Sequence, residues 1–203
     1  MSEVNLRVVA EGRMKRLMKL RDLGITAELI GDRIIVWNPS LGFELFAAGF
    51  FGKPIGIRKP KIERFDKPLE LSFYEAVYLV EKGVLKVKTL DGRFLTLDEL
   101  MEIGKRSYED FEAKYKVYRD LRDRGYVVRP GLKFGSDFSV YRYGPGIDHA
   151  PFLVTVFSRD TKLLGIDFVR AGRLATSVRK KWVLALILED GSIRYFVFSW
   201  YKL

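Results

Sequence analysis

The change of residue pattern after Gly125 constrains the fold more than any other feature of the sequence. Short runs rich in apolar, β-branched and aromatic residues follow it in close succession, and such runs are typical of β-strands. They occupy residues 126–129, 137–141, 152–157, 181–188 and 193–200. One helix is predicted between residues 168 and 178. With the helix that ends at Gly125, the pattern predicts a compact α/β unit of about five strands and two helices.

Three helices are predicted before Gly125. Ser72 with Glu75, and Thr96 with Glu99, have the spacing of a capping box, in which two side chains satisfy backbone N–H groups at the start of a helix. A third helix over residues 107–124 has apolar residues at spacings of three and four. Gly125 then suits a left-handed C-cap.

The first third of the chain combines a basic N-terminal segment with short β runs. Residues 25–30 and 33–37 flank Gly31-Asp32, a pair that favours the tight turn of a hairpin. Residues 49–68 contain three prolines and a strong excess of Lys and Arg. This composition predicts a long basic loop.

These patterns predict an α/β (α+β) protein of two domains. The first, residues 1–106, is a small mixed α/β domain that carries the basic loop as an insertion. The second, residues 107–203, contains the five strands. A chain of 203 residues with 48% hydrophobic content can bury a core in each domain.

The composition also limits the partners and the chemistry. The net charge of +10 favours a polyanionic partner such as nucleic acid. The absence of cysteine excludes disulfides, Cys-ligated zinc and thiol catalysis. No apolar run approaches the roughly 20 residues of a membrane span, and the N terminus lacks the apolar core of a signal peptide. We therefore expect a soluble, cytoplasmic protein with no membrane partner.

His149, the single histidine, is the first candidate for chemistry. It follows Gly144-Pro145-Gly146 in a loop that leaves a predicted strand, and functional residues often lie on such loops. An imidazole with a pKa near 6.5 can take or give a proton at neutral pH.

Two stretches resemble the core of the tRNA-splicing endonucleases. They are GYVVRPGLKFGSDFSVYRYGPGIDHAPFLVTVF and AGRLATSVRKKWVLALILEDGSIRYFVF, and together they cover most of residues 116–203. The N-terminal half shares mainly the segments LSFYEAVYLVEKG and IIVWN. The resemblance implies a C-terminal restriction-endonuclease-like domain with a mixed sheet. It also implies excision of introns from precursor tRNA at bulge–helix–bulge motifs, with no metal ion and no cofactor.

The resemblance implies a catalytic triad of Tyr141, His149 and Lys180. Tyr143 is a rival for the tyrosine and Lys181 for the lysine, but each lies off the matched position. In the implied mechanism Tyr141 is the base, His149 the acid and Lys180 the electrostatic stabiliser. Only about 0.1% of a tyrosine with a pKa near 10 is ionised at pH 7, so we expect nearby cations to lower the pKa of Tyr141. The exchange of roles between Tyr141 and His149 stays open.

Basic residues are the candidates for RNA contacts. In the family, arginines clamp a bulged base, and the match points to Arg173, with Arg194 as a second candidate. Lys133, Arg142 and Arg179 are candidates for phosphate contacts.

The basic loop resembles an insertion found in some archaeal members of the family. Its candidates for RNA contact are Lys53, Arg58, Lys59 and Lys61. A loop that is merely solvated is the alternative.

The resemblance also implies an assembly of four units, as a homotetramer or as two catalytic and two structural subunits. The apolar last strand, residues 194–200, is a candidate edge for pairing with a neighbouring subunit. The acidic turn Glu189-Asp190 resembles a loop that enters a partner's basic cleft. The loop insertion favours the heterotetramer.

Two other functions compete with this interpretation. A metal-dependent nuclease needs paired carboxylates and a lysine, and no Glu-x-Lys or Asp-x-Lys stands on a plausible strand after Asp137. A non-catalytic, RNA-binding subunit of the same complex predicts binding without cleavage, and the complete triad argues against it.

Overall fold

A computed structural model of the chain describes residues 3–58, 60–132, 135–158 and 164–198. The chain divides into two compact units, Met1–Phe111 and Glu112–Leu203. Each contains helices and a mixed sheet, which confirms the predicted fold class. The domain boundary between residues 106 and 107 stays a prediction. In the ranges that the structure describes, no helix is long and apolar enough to cross a membrane.

The N-terminal unit combines helices with a five-stranded sheet. Its helices are α1 (Glu3–Met18), α2 (Pro39–Gly49), α3 (Phe73–Glu81) and α4 (Leu97–Ser107). Its strands are β1 (Ile25–Ile30), β2 (Arg33–Val36), β3 (Lys53–Pro54), β4 (Leu69–Leu71) and β5 (Leu85–Lys88). The strand order is β3-β4-β2-β1-β5, and β1 with β5 is the parallel pair.

Capping side chains begin the helices that the sequence predicts. Ser72 accepts a hydrogen bond from the Glu75 backbone and Glu75 accepts one from the Ser72 backbone, so the first capping box is confirmed. Thr96 and Glu99 form the second in the same way. The predicted hairpin is confirmed too, with β1 and β2 antiparallel on either side of Gly31-Asp32.

Two helices correct our interpretation of the first third of the chain. We predicted a basic segment with short β runs, but α1 and α2 occupy much of it. The start of α2 does have sequence signals. Asn38 accepts hydrogen bonds from the backbone of Ser40 and Leu41, and Pro39 stands at the first helical position, where its missing N–H costs nothing.

The predicted basic loop starts inside regular structure. Lys53 pairs with Glu70 in the β3–β4 ladder, and after Pro54 no helix or strand forms among the described residues before β4. The buried carboxylate of Glu75 accepts a hydrogen bond of 2.9 Å from the Gly52 backbone. Since Glu75 also caps α3, this bond connects the start of the segment to the first turn of that helix.

The C-terminal unit has the five strands and two helices that the sequence predicts. They are α5 (Phe111–Asp123), β6 (Val127–Pro130), β7 (Phe138–Tyr141), β8 (Phe152–Phe157), α6 (Gly165–Ser177), β9 (Lys181–Ile187) and β10 (Ile193–Phe198). The order is β10-β9-β8-β7-β6, and β8 with β9 is the parallel pair. Helix α5 begins at Phe111, later than the predicted residue 107.

Helices cover both faces of this sheet. On one face, Phe168 of α6 packs edge-on against Trp182 with ring centroids 5.7 Å apart, beside Leu153 and Leu184. On the other, Tyr118 of α5 lies against Phe138. Because side chains alternate along a strand, the register decides which residues share the α6 face.

Candidate active site

The three predicted catalytic residues belong to one edge of the C-terminal sheet. Tyr141 is the last residue of β7, His149 precedes β8, and Lys180 immediately precedes β9. β7 and β8 are antiparallel, with Val140 opposite Phe152, whereas β8 and β9 are parallel, with Phe152 opposite Lys181. The end of β7 and the starts of β8 and β9 therefore meet at the same edge.

A hydrogen bond attaches Lys180 to the segment that carries His149. Its Nζ donates to the carbonyl oxygen of Ala150 at 2.7 Å. One residue on, the Lys181 backbone donates to the carbonyl of Pro151 at 2.9 Å. Lys180 is partly buried, and burial lowers its pKa below the ordinary lysine value, while the Asp148 carboxylate acts in the opposite direction. Lys180 therefore loses its charge at a lower pH than an exposed lysine would.

The alternation of side chains along β9 distinguishes Lys180 from Lys181, the other candidate for the catalytic lysine. Tyr141 lies on the α6 face, as Ser139, Leu153 and Trp182 do. Lys181 precedes Trp182 and is exposed on the opposite face. The register thus places Lys181 away from the face that Tyr141 occupies.

The phenol of Tyr141 is harder to ionise than an ordinary tyrosine. Burial raises its pKa, the nearby Arg129 lowers it, and Asp148 raises it further, with a net rise. We predicted a pKa lowered by Lys180 and His149, and this expectation was wrong for the free protein. The physical reason is that Tyr141 is half-buried at the strand end, where the charged form is poorly solvated.

The loop between Tyr141 and His149 is organised by a residue that the sequence analysis missed. The carboxylate of Asp148 accepts hydrogen bonds from the backbone N–H groups of Arg142, Tyr143 and Gly144 at 3.0, 3.3 and 2.7 Å. The available signal was an aspartate beside the histidine in a glycine-rich loop, since Asp side chains often accept backbone N–H groups in turns. His149 itself is exposed.

The residue before Lys180 has an unusual backbone conformation. After α6, Arg179 adopts φ +55°, in the left-handed region, and its N–H donates to the carbonyl of Thr176. Residues other than glycine adopt this conformation rarely, at a cost of about 1–3 kcal/mol. Such strained residues concentrate at functional sites.

The predicted RNA-binding arginines are exposed but lie at different places. Arg142 and Arg179 neighbour Tyr141 and Lys180, so both are at the sheet edge that carries the three predicted catalytic residues. Arg142 also lies over the ring of Phe152, 5.8 Å from its centroid. Arg173 is on α6, one turn before its end.

Arg194 is not brought to this edge. It pairs with Leu186 of β9, five residues beyond Lys181 and so about 16 Å along the strand. Lys53 is exposed on β3 of the N-terminal unit, together with exposed Arg58 and Lys61 farther along the loop. Lys133 and Lys59 lie outside the described residues. Within the described ranges, no group of three or more His, Asp or Glu side chains is arranged to hold a metal ion.

Comparisons with known proteins cover both units. The family described as tRNA intron endonuclease, catalytic C-terminal domain, matches residues 111–195, and the tRNA intron endonuclease N-terminal domain matches residues 25–101. The chain is 48% identical over 179 residues to a tRNA-splicing endonuclease of Hyperthermus butylicus, covering 88% of this chain and 99% of the relative.

Two further relatives have the same description. The tRNA-splicing endonuclease of Pyrobaculum arsenaticum is 42% identical over 179 residues, which are 86% of this chain and 98% of that protein. The tRNA-splicing endonuclease of Saccharolobus islandicus, strain M.14.25, is 39% identical over 181 residues, which are 88% of this chain and 100% of that protein.

Proposed function

The chain belongs to the tRNA intron endonuclease family, and we propose that it cuts precursor tRNA at bulge–helix–bulge motifs without a metal ion. It is an enzyme that cleaves tRNA introns, as the matched catalytic domain and the archaeal relatives indicate. The observation that carries the finer proposal is the convergence of Tyr141, His149 and Lys180 on one sheet edge. The cytoplasmic location expected from the sequence remains a prediction.

The proposed reaction uses the ribose 2′-hydroxyl as an internal nucleophile. A base removes its proton, the 2′ oxygen attacks the adjacent phosphorus, and the bond from phosphorus to the 5′ oxygen breaks. An acid then protonates the leaving 5′ oxygen. The products are a 2′,3′-cyclic phosphate and a 5′-hydroxyl, so no water and no redox partner are consumed.

Each member of the triad has a task in this reaction. Lys180 supplies a cation for the negative charge that develops on the phosphate oxygens. We assign the base to Tyr141 and the acid to His149, as the family resemblance implies. The raised pKa of Tyr141 supports the opposite assignment, with His149 as the base and Tyr141 as the acid. A protonated phenol can donate a proton to the leaving 5′ oxygen but cannot accept the proton of the 2′-hydroxyl.

Recognition of the RNA is proposed to begin at the catalytic edge. Arg142 and Arg179 are exposed beside Tyr141 and Lys180, where they can contact phosphates on either side of the cut. Arg173 is proposed to stack on a base that is splayed from the bulge. Arg194, remote from this edge in its own chain, is proposed to serve the site of another subunit. Lys53 and its loop are proposed to extend the RNA contacts.

An assembly of four units is proposed through β10, the edge strand of the described sheet. Phe196 and Val197, on opposite faces of the strand, are 48% and 54% exposed. Beside Val197, an open groove of about 190 Å³ is lined by apolar residues that include Leu121 and Tyr126. An apolar edge that presents unpaired backbone groups favours pairing with a neighbouring subunit.

The acidic turn before β10 is proposed to orient that assembly. Glu189 and Asp190 are exposed, and hydrogen bonds from Ser192 hold the pKa of Asp190 below its ordinary value, so its carboxyl is charged at neutral pH. The proposed partner is a basic cleft of a neighbouring subunit. We favour the heterotetramer with a structural subunit, because the chain carries the basic insertion, and keep the homotetramer as the alternative.

Replacing Phe196 and Val197 together by glutamate is expected to reduce the mass of the assembly. Two carboxylates cannot be buried in an apolar contact without a large cost. Size-exclusion chromatography with light scattering measures the mass, for the chain alone and mixed with a structural subunit. Leu90→Glu, which alters a residue 70% exposed in the N-terminal unit, is the control. An unchanged mass in the double variant would contradict the role of β10.

The proposed reaction is tested with an end-labelled precursor RNA that carries a bulge–helix–bulge, incubated with the protein in excess EDTA. We expect cuts in both bulges and 2′,3′-cyclic phosphate ends on the 5′ fragments. Cleavage that appears only after magnesium is added would overturn the metal-free mechanism. Cleavage that appears only after a structural subunit is added would retain the mechanism and establish the heterotetramer.

A further inference from the structure

The loop between Tyr141 and His149 contains a fourth residue, Asp148, whose side chain accepts three backbone hydrogen bonds within the loop. The carboxylate of Asp148 is bidentate toward the start of the loop. One oxygen accepts from the N–H groups of Arg142 and Tyr143, and the other accepts from Gly144. We propose that Asp148 is the positioning residue of this site, holding the strand end at Tyr141 and the following His149 in their working arrangement.

The backbone of the loop closes around the same point. Both Ile147 and Asp148 donate their N–H groups to the carbonyl of Gly144 at 3.1 Å. Asp148 thus receives three bonds from the loop's beginning and donates one back to it. Hydrogen bonds to a charged acceptor are about twice as strong as neutral ones, so the carboxylate is the strongest contact in this turn.

The position of Asp148 links all three members of the triad. It is adjacent in sequence to His149, and its bonds begin at Arg142, the residue after Tyr141. Two residues on, the carbonyl of Ala150 accepts the hydrogen bond from Lys180. A shift of the loop at Asp148 would therefore displace two groups at once. They are the imidazole of His149 and the carbonyl of Ala150, which accepts the hydrogen bond from Lys180.

The charge of Asp148 adds a second effect on the same groups. Its field raises the pKa of Lys180 and so opposes the effect of burial, which keeps more of that lysine cationic. It also raises the pKa of Tyr141, against Arg129. Loss of the charge is expected to lower both pKa values, so the alkaline limb of the rate profile moves to lower pH.

The inference rests on the proposed function. Two measurements distinguish a failure of the inference about Asp148 from a failure of the proposed function. Hydrogen exchange of the backbone amides of residues 142–144 reports the hold of Asp148 on the loop, with or without RNA cleavage. The rate of cleavage at saturating RNA, and its pH profile, report the consequence for chemistry. Failure of the wild-type chain to cut, alone or with a structural subunit, would overturn the proposed function, while the exchange data still decide whether Asp148 holds the loop.

Asp148→Ala is expected to lose protection at the three amides and to cleave about 100-fold more slowly, the effect of misplacing reacting groups by about 1 Å. The KM for RNA should change less than the rate does, by no more than about tenfold, because Arg142 is the one proposed phosphate contact in this loop and the others lie outside it. Asp148→Asn keeps one acceptor oxygen, so we expect an intermediate rate and an alkaline limb at lower pH than in the wild type. It also serves if Asp148→Ala fails to fold.

Asp91→Asn is the matched control, since Asp91 is an exposed turn aspartate of the N-terminal unit that accepts a hydrogen bond from Thr89. Its amide exchange at residues 142–144 and its pH profile should equal those of the wild type. Unchanged exchange at these amides in Asp148→Ala would overturn the inference. So would a rate and a pH profile of Asp148→Asn identical to those of the wild type.

Discussion

Lys180→Met is expected to lower the rate of RNA cleavage at saturating substrate by about 10²–10³-fold, the usual cost of removing one group that stabilises developing charge. Methionine replaces the apolar stem of the lysine and lacks its terminal ammonium group. The Kd for the uncleaved RNA should change by less than about tenfold, since a single phosphate contact is lost among several. Single-turnover cleavage and a binding assay on an RNA with a 2′-deoxy group at each cut site measure the two quantities.

Lys181→Met is the matched control, because it removes the same charge one residue away. Lys181 is exposed on the sheet face opposite to Tyr141. We expect near wild-type cleavage from this variant and a similar small loss of affinity. Equal loss of cleavage in both variants would mean that net charge, and not the position of Lys180, supports the reaction.

The pH dependence gives an independent check on Lys180. Burial lowers the pKa of Lys180 in the folded protein, so its cation is lost at a lower pH than that of an exposed lysine. The wild-type rate should therefore fall on the alkaline side before an ordinary lysine titrates. Lys180→Met has no such group, and its profile should lack this limb.

The sequence predicts elements well where local signals and packing agree. Residues 152–157 form β8 with the predicted bounds, because every residue of the run except Thr155 is apolar and none of the six is exposed. Ser72 and Thr96 mark their helices through bonds that span only three residues. In each case the determining contacts are close in sequence or follow the simple period of a strand.

Elements that depend on distant partners were missed. Lys53 and Pro54 form a strand only because residues 69–70 lie beside them, and Leu85–Lys88 joins the sheet through a parallel partner about 60 residues earlier, at Ile25. Dependence on distant contacts also explains which features of the site the sequence did not predict. The triad was predicted from a family resemblance, whereas the bonds of Asp148 and the burial that raises the pKa of Tyr141 depend on the folded loop.

Two assignments of acid and base fit the site, and a pH profile does not separate them. Each requires one proton to be shared between Tyr141 and His149, so both predict the same dependence of rate on pH. The raised pKa of Tyr141 makes the ionised phenol scarce, but it does not forbid catalysis through that minor form. The roles therefore need a test that acts on only one proton transfer.

His149→Ala is expected to cleave ordinary RNA about 10²–10⁴-fold more slowly, the usual contribution of a general acid or base, and to bind it nearly as the wild type does. An RNA with sulfur in place of the leaving 5′ oxygen needs no acid, since a thiolate leaves unprotonated. If His149 is the acid, His149→Ala should cut this RNA at close to the wild-type rate, whereas Tyr141→Phe should remain slow. If Tyr141→Phe cuts this RNA at close to the wild-type rate and His149→Ala remains slow, Tyr141 is the acid and His149 the base. Recovery of neither variant would mean that the proton reaches the leaving oxygen from another group.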